Sequence, residues 1–249
     1  MTPPDNQREN LLFFDAGPII TLVMSRLGWI IPELKKRWNG RFLITPAVKF
    51  ELVDRPLTVR RFEFEALQVM KMIREGVLEV FEDISKSRVD TLIQLANSSF
   101  QIDGKPMDII QDGEMESAVG SLALGAQGVV MDERTLRLFI ENNRGMKALL
   151  ERRFQKHVTP DLRKMDQFSS ALEELVIIRS IELVGVAYSL GLLDGYIPEG
   201  KKGREQLLDA VLWNVRYNGC AVTEQEIGEL KEFLLVKREE RSSARNEMK

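Results

Sequence analysis

The side chains able to do chemistry in this sequence are carboxylates, almost by elimination. Its 249 residues hold one His, His157, and one Cys, Cys220. A single thiol excludes an intrachain disulfide framework and any cysteine-cluster zinc or iron–sulfur site, and a single imidazole excludes the usual multi-His metal centres. A Ser-His-Asp arrangement would have to use His157. Acids are plentiful, at 38 Asp and Glu against 35 Lys and Arg. Catalysis on such a chain is expected to run on oxygen ligands around a hard cation such as Mg²⁺ or Mn²⁺.

Ligands of open parallel sheets bind beyond the carboxyl ends of the strands, so the residue that ends each apolar run is the first place to look. The run LLFF ends in Asp15, and GVVM ends in Asp132 followed by Glu133. As neighbours in one sheet, roughly 5 Å apart, these strands would project Asp15 and Asp132 from the same edge, a costly pairing unless a cation lies between them. A helix opening at Pro46 would carry Glu51, and Glu114 falls in the first turn of the helix before the GVVM strand. Four carboxylates from separate segments outline a hard-cation site with room for water and phosphate oxygens. Each also has a plainer reading. Glu114 suits a helix-dipole partner, Glu116 the third-position partner of a cap at Gly113, Asp132 a helix cap, and Glu51 half of a surface ion pair. Asp15, directly after four apolar residues, sits at the rim of a core, where a carboxylate needs a partner.

The elements that must position these acids read as an alternation of strand and helix. Apolar runs at 11–14, 42–44, 78–81, 128–131 and 176–178 are strand candidates. Between them, helices are expected from Pro18 onward, over 59–75, 87–97 and 113–124, and later over 204–213 and 224–235. Parallel strands need crossover connections that usually contain a helix, so the pattern predicts a mainly parallel sheet covered on both faces. The expected organisation is a core over 10–140, an inserted helical segment over 141–173 and a C-terminal part of the same domain over 174–236. The polar stretches 1–9 and 237–249 are expected to be disordered. No apolar run approaches the roughly 20 residues needed to span a bilayer, and the polar start does not resemble a secretory signal, so a soluble, cytoplasmic protein without membrane contact is expected.

Taken in order, DAGPIITL after a first strand, ITPAVKFELV around a second acid, and GEMESAVGSLALGA followed by VVMDERTLR resemble the PIN-domain family of metal-dependent ribonucleases. The later LVGVAYSLGLLDGYI and LLDAVLWNVRYNGCAVTEQEIGELKEFL are similar to the tail of one prokaryotic branch. The resemblance implies a three-layer α/β/α fold around a mainly parallel five-stranded sheet, here with a helical insertion and a helical C-terminal extension. It further implies one or two Mg²⁺ or Mn²⁺ ions held by Asp15, Glu51, Glu114 and Asp132, and hydrolysis of RNA phosphodiesters. Glu133 stands where many relatives place a second Asp, and Thr135 where a helix-start hydroxyl could bond to the site. This chain has Ala16 where the family often has a small hydroxyl or amide residue, and Glu114 where it usually has Asp. Family members include toxins of toxin–antitoxin pairs and RNA-processing nucleases, so an RNA substrate, a small antitoxin partner and a homodimer are what the resemblance suggests.

A net charge of −3 gives no global attraction to RNA, so binding would need a local basic patch. The richest stretch includes Arg144, Lys147, Arg152, Arg153, Lys156 and His157. The preferred reading, however, is the solvated side of a helix whose apolar stripe is Met146, Leu149, Leu150 and Phe154. His157 reads as a surface residue of that segment. Lys49 could pair with Glu51 or face phosphate, and Trp213 with Tyr217 reads as a packed pair rather than a base-stacking platform. Cys220 has no activating neighbour in the sequence. A non-catalytic RNA-binding or protein-interaction module is the alternative to the nuclease. A receiver- or phosphatase-type protein with Asp15 as phosphoacceptor ranks lower, because Gly17 stands where a phosphatase wants its second Asp.

Overall fold

The computed structural model describes residues 9–247, with side chains as far as residue 238. Among these residues the strands are β1 Asn10–Phe14, β2 Gly40–Ile44, β3 Glu79–Val80, β4 Phe100–Ile102, β5 Lys105–Pro106, β6 Gly128–Val130, β7 Thr159–Pro160 and β8 Ile177–Ile178. The first helices are α1 Ala16–Met24, α2 Ile30–Trp38, α3 Pro46–Lys49, α4 Glu63–Arg74, α5 Lys86–Asn97 and α6 Asp112–Leu124. They are followed by α7 Arg134–Glu141, α8 Asn143–Phe154, α9 Leu162–Ala171, α10 Ser180–Ser189, α11 Gly203–Tyr217 and α12 Glu224–Glu247.

Five strands form a parallel sheet in the order β3-β2-β1-β6-β8, each at one of the expected apolar runs. Successive strand side chains point to opposite faces, and the chain uses both. Leu12, Phe14, Phe42, Ile44 and Val130 enter one hydrophobic cluster with α1, α2, α10 and α11. Leu11, Phe13, Leu43 and Val129 enter a second with α5 to α9. The protein is therefore α/β, with helices on both faces of a central sheet. The segment 141–173 contributes Met146, Leu150, Met165 and Phe168 to the second cluster, where the Phe139 ring lies 5.4 Å from Phe100 and 4.4 Å from Phe168. No helix among the described residues is long and apolar enough to cross a membrane.

Several elements depart from the sequence-based expectation for local reasons. Helix α1 begins at Ala16 rather than at Pro18, because the Asp15 carboxylate caps it. Helix α4 begins at Glu63, since Val59 closes a separate turn over Pro56–Thr58. A second, antiparallel sheet β5-β4-β7 has no apolar run to announce it. Its hairpin turns at Asp103 and Gly104, at φ +52° and +76°, as a tight two-residue turn requires. Of the two ends expected to be disordered, residues 1–8 lie outside the described residues, while α12 carries helix past residue 236 to Glu247.

At Gly128 the backbones of β6 and the residue before β8 approach so closely that a Cβ would lie 2.6 Å from the Val176 carbonyl oxygen. Gly128→Ala should therefore cost about 1–3 kcal/mol, read as a lower urea midpoint with an unchanged slope.

Candidate active site

Beyond the carboxyl ends of β1 and β6 the chain leaves a cleft of about 340 Å³, lined by Asp15, Glu51, Glu114, Asp132 and Glu133 with Gln111, Arg134, Gly219 and Ala221. The Asp15 amide donates to Val130 O at 2.9 Å, which sets the ends of β1 and β6 level. The Asp15 carboxylate then accepts from Gly17 N at 3.4 Å. Thr45 caps α3 by accepting from Val48 N at 3.3 Å, Pro46 supplies its first residue, and the helix widens into a π turn over Phe50–Asp54 that carries Glu51. Helix α6 is capped by Gln111, and the Glu114 carboxylate accepts from Gln111 N at 3.4 Å. Gly113 stands between two of the acids, where a Cβ would lie 3.8 Å from Asp15 Oδ1 and 3.9 Å from Glu51 Oε2.

The cleft acids sit in an electrostatically unfavourable setting. Asp15, Glu114 and Asp132 are only 6%, 7% and 4% exposed. Burial, then the negative charges of Glu51 and Asp132, push the Asp15 carboxyl up to about 6 against hydrogen bonds from the Ala16 and Gly17 amides. Burial, then Glu133, Asp15 and Glu51, push Glu114 up to about 8. No Lys or Arg among the described residues is ion-paired with any of the five acids; Arg134 lines the cleft, exposed and without an acidic partner. The acids offer only oxygen donors and none of them is neutralised by an ion pair among the described residues, which suits a hard divalent cation. Yet no group of three or more His, Cys, Asp or Glu side chains is gathered as a ready metal site among the described residues. Several of the acids are instead held by partners of their own.

Asp132 is the most firmly held. Its Oδ1 accepts from Ser180 N at 2.8 Å and its Oδ2 from Ser180 Oγ at 2.7 Å. Its carbonyl accepts from Ala221 N at 3.3 Å. Asp132 is thus not the cap of α7. That role falls to Glu133, which accepts from Thr135 N, from Thr135 Oγ1 at 2.7 Å and from Leu136 N at 3.1 Å. The Thr135 hydroxyl is spent on Glu133. Nor does Gly113 cap α6 with Glu116 as partner: Gln111 and Glu114 fill those places, and Glu116 accepts from Ala47 N at 3.1 Å.

The remaining candidates lie away from the cleft. Lys147 and His157 both face Glu151, at 3.8 and 3.1 Å, and Lys156 pairs with Asp103 at 2.8 Å. Arg144, Arg152 and Arg153 are exposed on α8, and none of this segment lines the cleft. His157 is a surface side chain at 77% exposure. Lys49 faces Asp54, at 3.8 Å, rather than Glu51. Tyr217 is not packed away: its ring is 77% exposed, 5.6 Å from Trp213. Cys220 is buried against Asp132 and Ser180, and burial followed by the Asp132 charge pushes its thiol up to about 12, away from the thiolate that a nucleophile needs. Sequence reading missed Gln111, Arg134 and Ser180. The rule that found Asp15, a polar residue just past a strand end, points to Ser180 two residues after β8.

No protein-family model matches this chain, and no curated protein or solved structure matches it.

The Asp15 and Glu114 carboxyls favour their protonated forms more in the folded chain than in the unfolded one. Metal-free protein should therefore lose stability as pH rises from about 4 through about 6 for Asp15 and on to about 8 for Glu114. In EDTA at pH 8, Glu114→Gln should be more stable than the parent by about 1–3 kcal/mol, measured by urea unfolding, with the gain vanishing near pH 4.

Proposed function

We propose that the chain is a divalent-cation-dependent endoribonuclease of PIN-like fold, cutting RNA phosphodiesters in this cleft. The observation that carries the reading is the convergence of Asp15, Glu51, Glu114 and Asp132, drawn from four separate segments, on one cleft where none of them is ion-paired among the described residues. These four side chains, with Glu133 beside them, would hold Mg²⁺ or Mn²⁺. When bound, the cation supplies activation of water and neutralisation of charge on the phosphate.

The chain's own residues do the rest. Asp15 lies at the end of β1, with one carboxylate oxygen bonded to the Gly17 amide and the other towards Gly113. Glu114 keeps a proton at its carboxyl in metal-free protein near neutral pH, so cation binding is expected to release protons and to tighten as pH rises. Glu133 accepts hydrogen bonds at the start of α7, which holds its charge at the cleft wall. Arg134, next in sequence and free of acidic partners among the described residues, is placed to receive a phosphate oxygen.

The absence of a gathered ligand set favours a second reading, a non-catalytic RNA-binding or interaction module that keeps the acids only as structure. Full-length protein incubated with a fluorescently labelled single-stranded RNA separates the two. The nuclease cuts in Mn²⁺, not in EDTA, and Asp15→Asn lowers the rate by at least about 100-fold. Retained RNA affinity without cleavage, indifferent to Asp15→Asn and to Mn²⁺, would establish the second reading instead.

A further inference from the structure

Among the described residues, Asp132 is the cleft acid held from a distant part of the chain. Asp15, Glu114 and Glu133 accept hydrogen bonds only from amides or hydroxyls within three residues of themselves. Asp132 is gripped at both oxygens by Ser180, 48 residues onward, at the start of α10. Ser180 is fully buried, and its amide is one of the first N–H groups of α10, which have no partner inside the helix. A carboxylate offers about four lone-pair positions. The two Ser180 bonds take one on each oxygen and the buried Cys220 thiol lies against the same carboxylate, which leaves at least one position while Asp132 still lines the cleft.

The clamp is itself braced. Arg179, the cap of α10, bonds to Glu182 at 2.9 Å on the same helix and to Glu226 at 2.6 Å on α12. Arg137 of α7 lies 3.8 Å from Glu226. Against the burial that would raise it, hydrogen bonds from Thr223 and Arg179 hold Glu226 down to about 2, so this anchor stays charged through any working pH. Ser180 therefore starts a helix whose cap is fixed to two others.

We propose that Ser180 is a positioning residue for cation binding in the cleft: its amide and hydroxyl fix the plane of the Asp132 carboxylate, so that Asp132 meets a divalent cation without first surrendering rotamer freedom. This rests on the cation-dependent reading of the cleft. Loss of an outer partner of a metal ligand characteristically costs about 10- to 100-fold in affinity.

The test is Mn²⁺ titration of the full chain by calorimetry, with circular dichroism as the check on folding. Ser180→Ala should weaken Mn²⁺ binding about 10- to 100-fold, and Ser180→Thr, which keeps the hydroxyl, should return it to within about threefold of the parent. In an Asp132→Asn background, Ser180→Ala should cost less than about twofold, because the residue it acts through is already changed. If Ser180→Ala does not fold, Ser180→Cys keeps the volume with a weak donor and carries the same expectation. A folded Ser180→Ala that binds Mn²⁺ as tightly as the parent, or that loses equally in the Asp132→Asn background, overturns the role of Ser180 and leaves the cation reading standing. Parent protein that binds no Mn²⁺, or binds it regardless of Asp15→Asn, overturns the cation reading and this inference with it.

Discussion

Negative charge gathered at one edge of a parallel sheet is the constraint to which the rest of this structure answers. The sheet needs an apolar interior on both faces, and the strand ends that frame the cleft carry Asp15 and Asp132 at the border of that interior. Taking such groups out of water is expensive unless each has partners. Four of the five acids carry a device of their own: a helix amide for Asp15, a capping arrangement for Glu114, a fork of hydrogen bonds for Asp132 and the first turn of α7 for Glu133. The remaining imbalance appears as carboxyls that resist ionisation. The fold thus devotes separate interactions to acids that have no ion-pair partner among the described residues.

The same devices tie separate layers of the molecule together. Asp132 belongs to the strand order through β6, yet its side chain is fixed by α10 and its backbone by the loop after α11. Glu133 begins α7, which packs with α8 and α9 around Phe139 and Phe168. The helical excursion over 143–171 thus packs on the helix that starts at one wall of the cleft, and the C-terminal part supplies Gly219 and Ala221 to another.

Much of this was legible in the sequence, and the parts that were not share a physical cause. The central strands β1, β2 and β6 announced themselves because their apolar runs are buried on both faces, whereas the edge strands β3 and β8 are only half-buried and left shorter apolar signals. The acids were legible because they sit directly past those runs. Helix starts were less so: Gln111 and Gly113 both suit the entry to α6, and only the reach of Glu114 back to the Gln111 amide decides between them. The β5-β4-β7 sheet escaped because strands of two or three residues have no periodicity, although Asp103-Gly104 carried its turn signal. Ser180 escaped because nothing local links it to Asp132. Sheet order β6-β8 makes them neighbours, and no composition or spacing discloses sheet order. The exposed Tyr217 ring shows the reverse limit, since an i, i+4 aromatic pair stacks equally well on either side of a helix.

The 48 residues between Asp132 and its clamp also have a meaning in time. As the chain emerges during synthesis, β1, β2, β3 and β6 can pair while β8 and α10 are still unmade, so the acidic edge is first assembled with one of its members unrestrained. Closing that long excursion is entropically slow relative to local helix formation. Docking β8 against β6 delivers Ser180 to Asp132 in the same event that completes the sheet. The order of strand addition therefore delays the finished cleft until the chain is nearly whole, and a nascent or truncated chain lacks the means to hold its fourth acid in place.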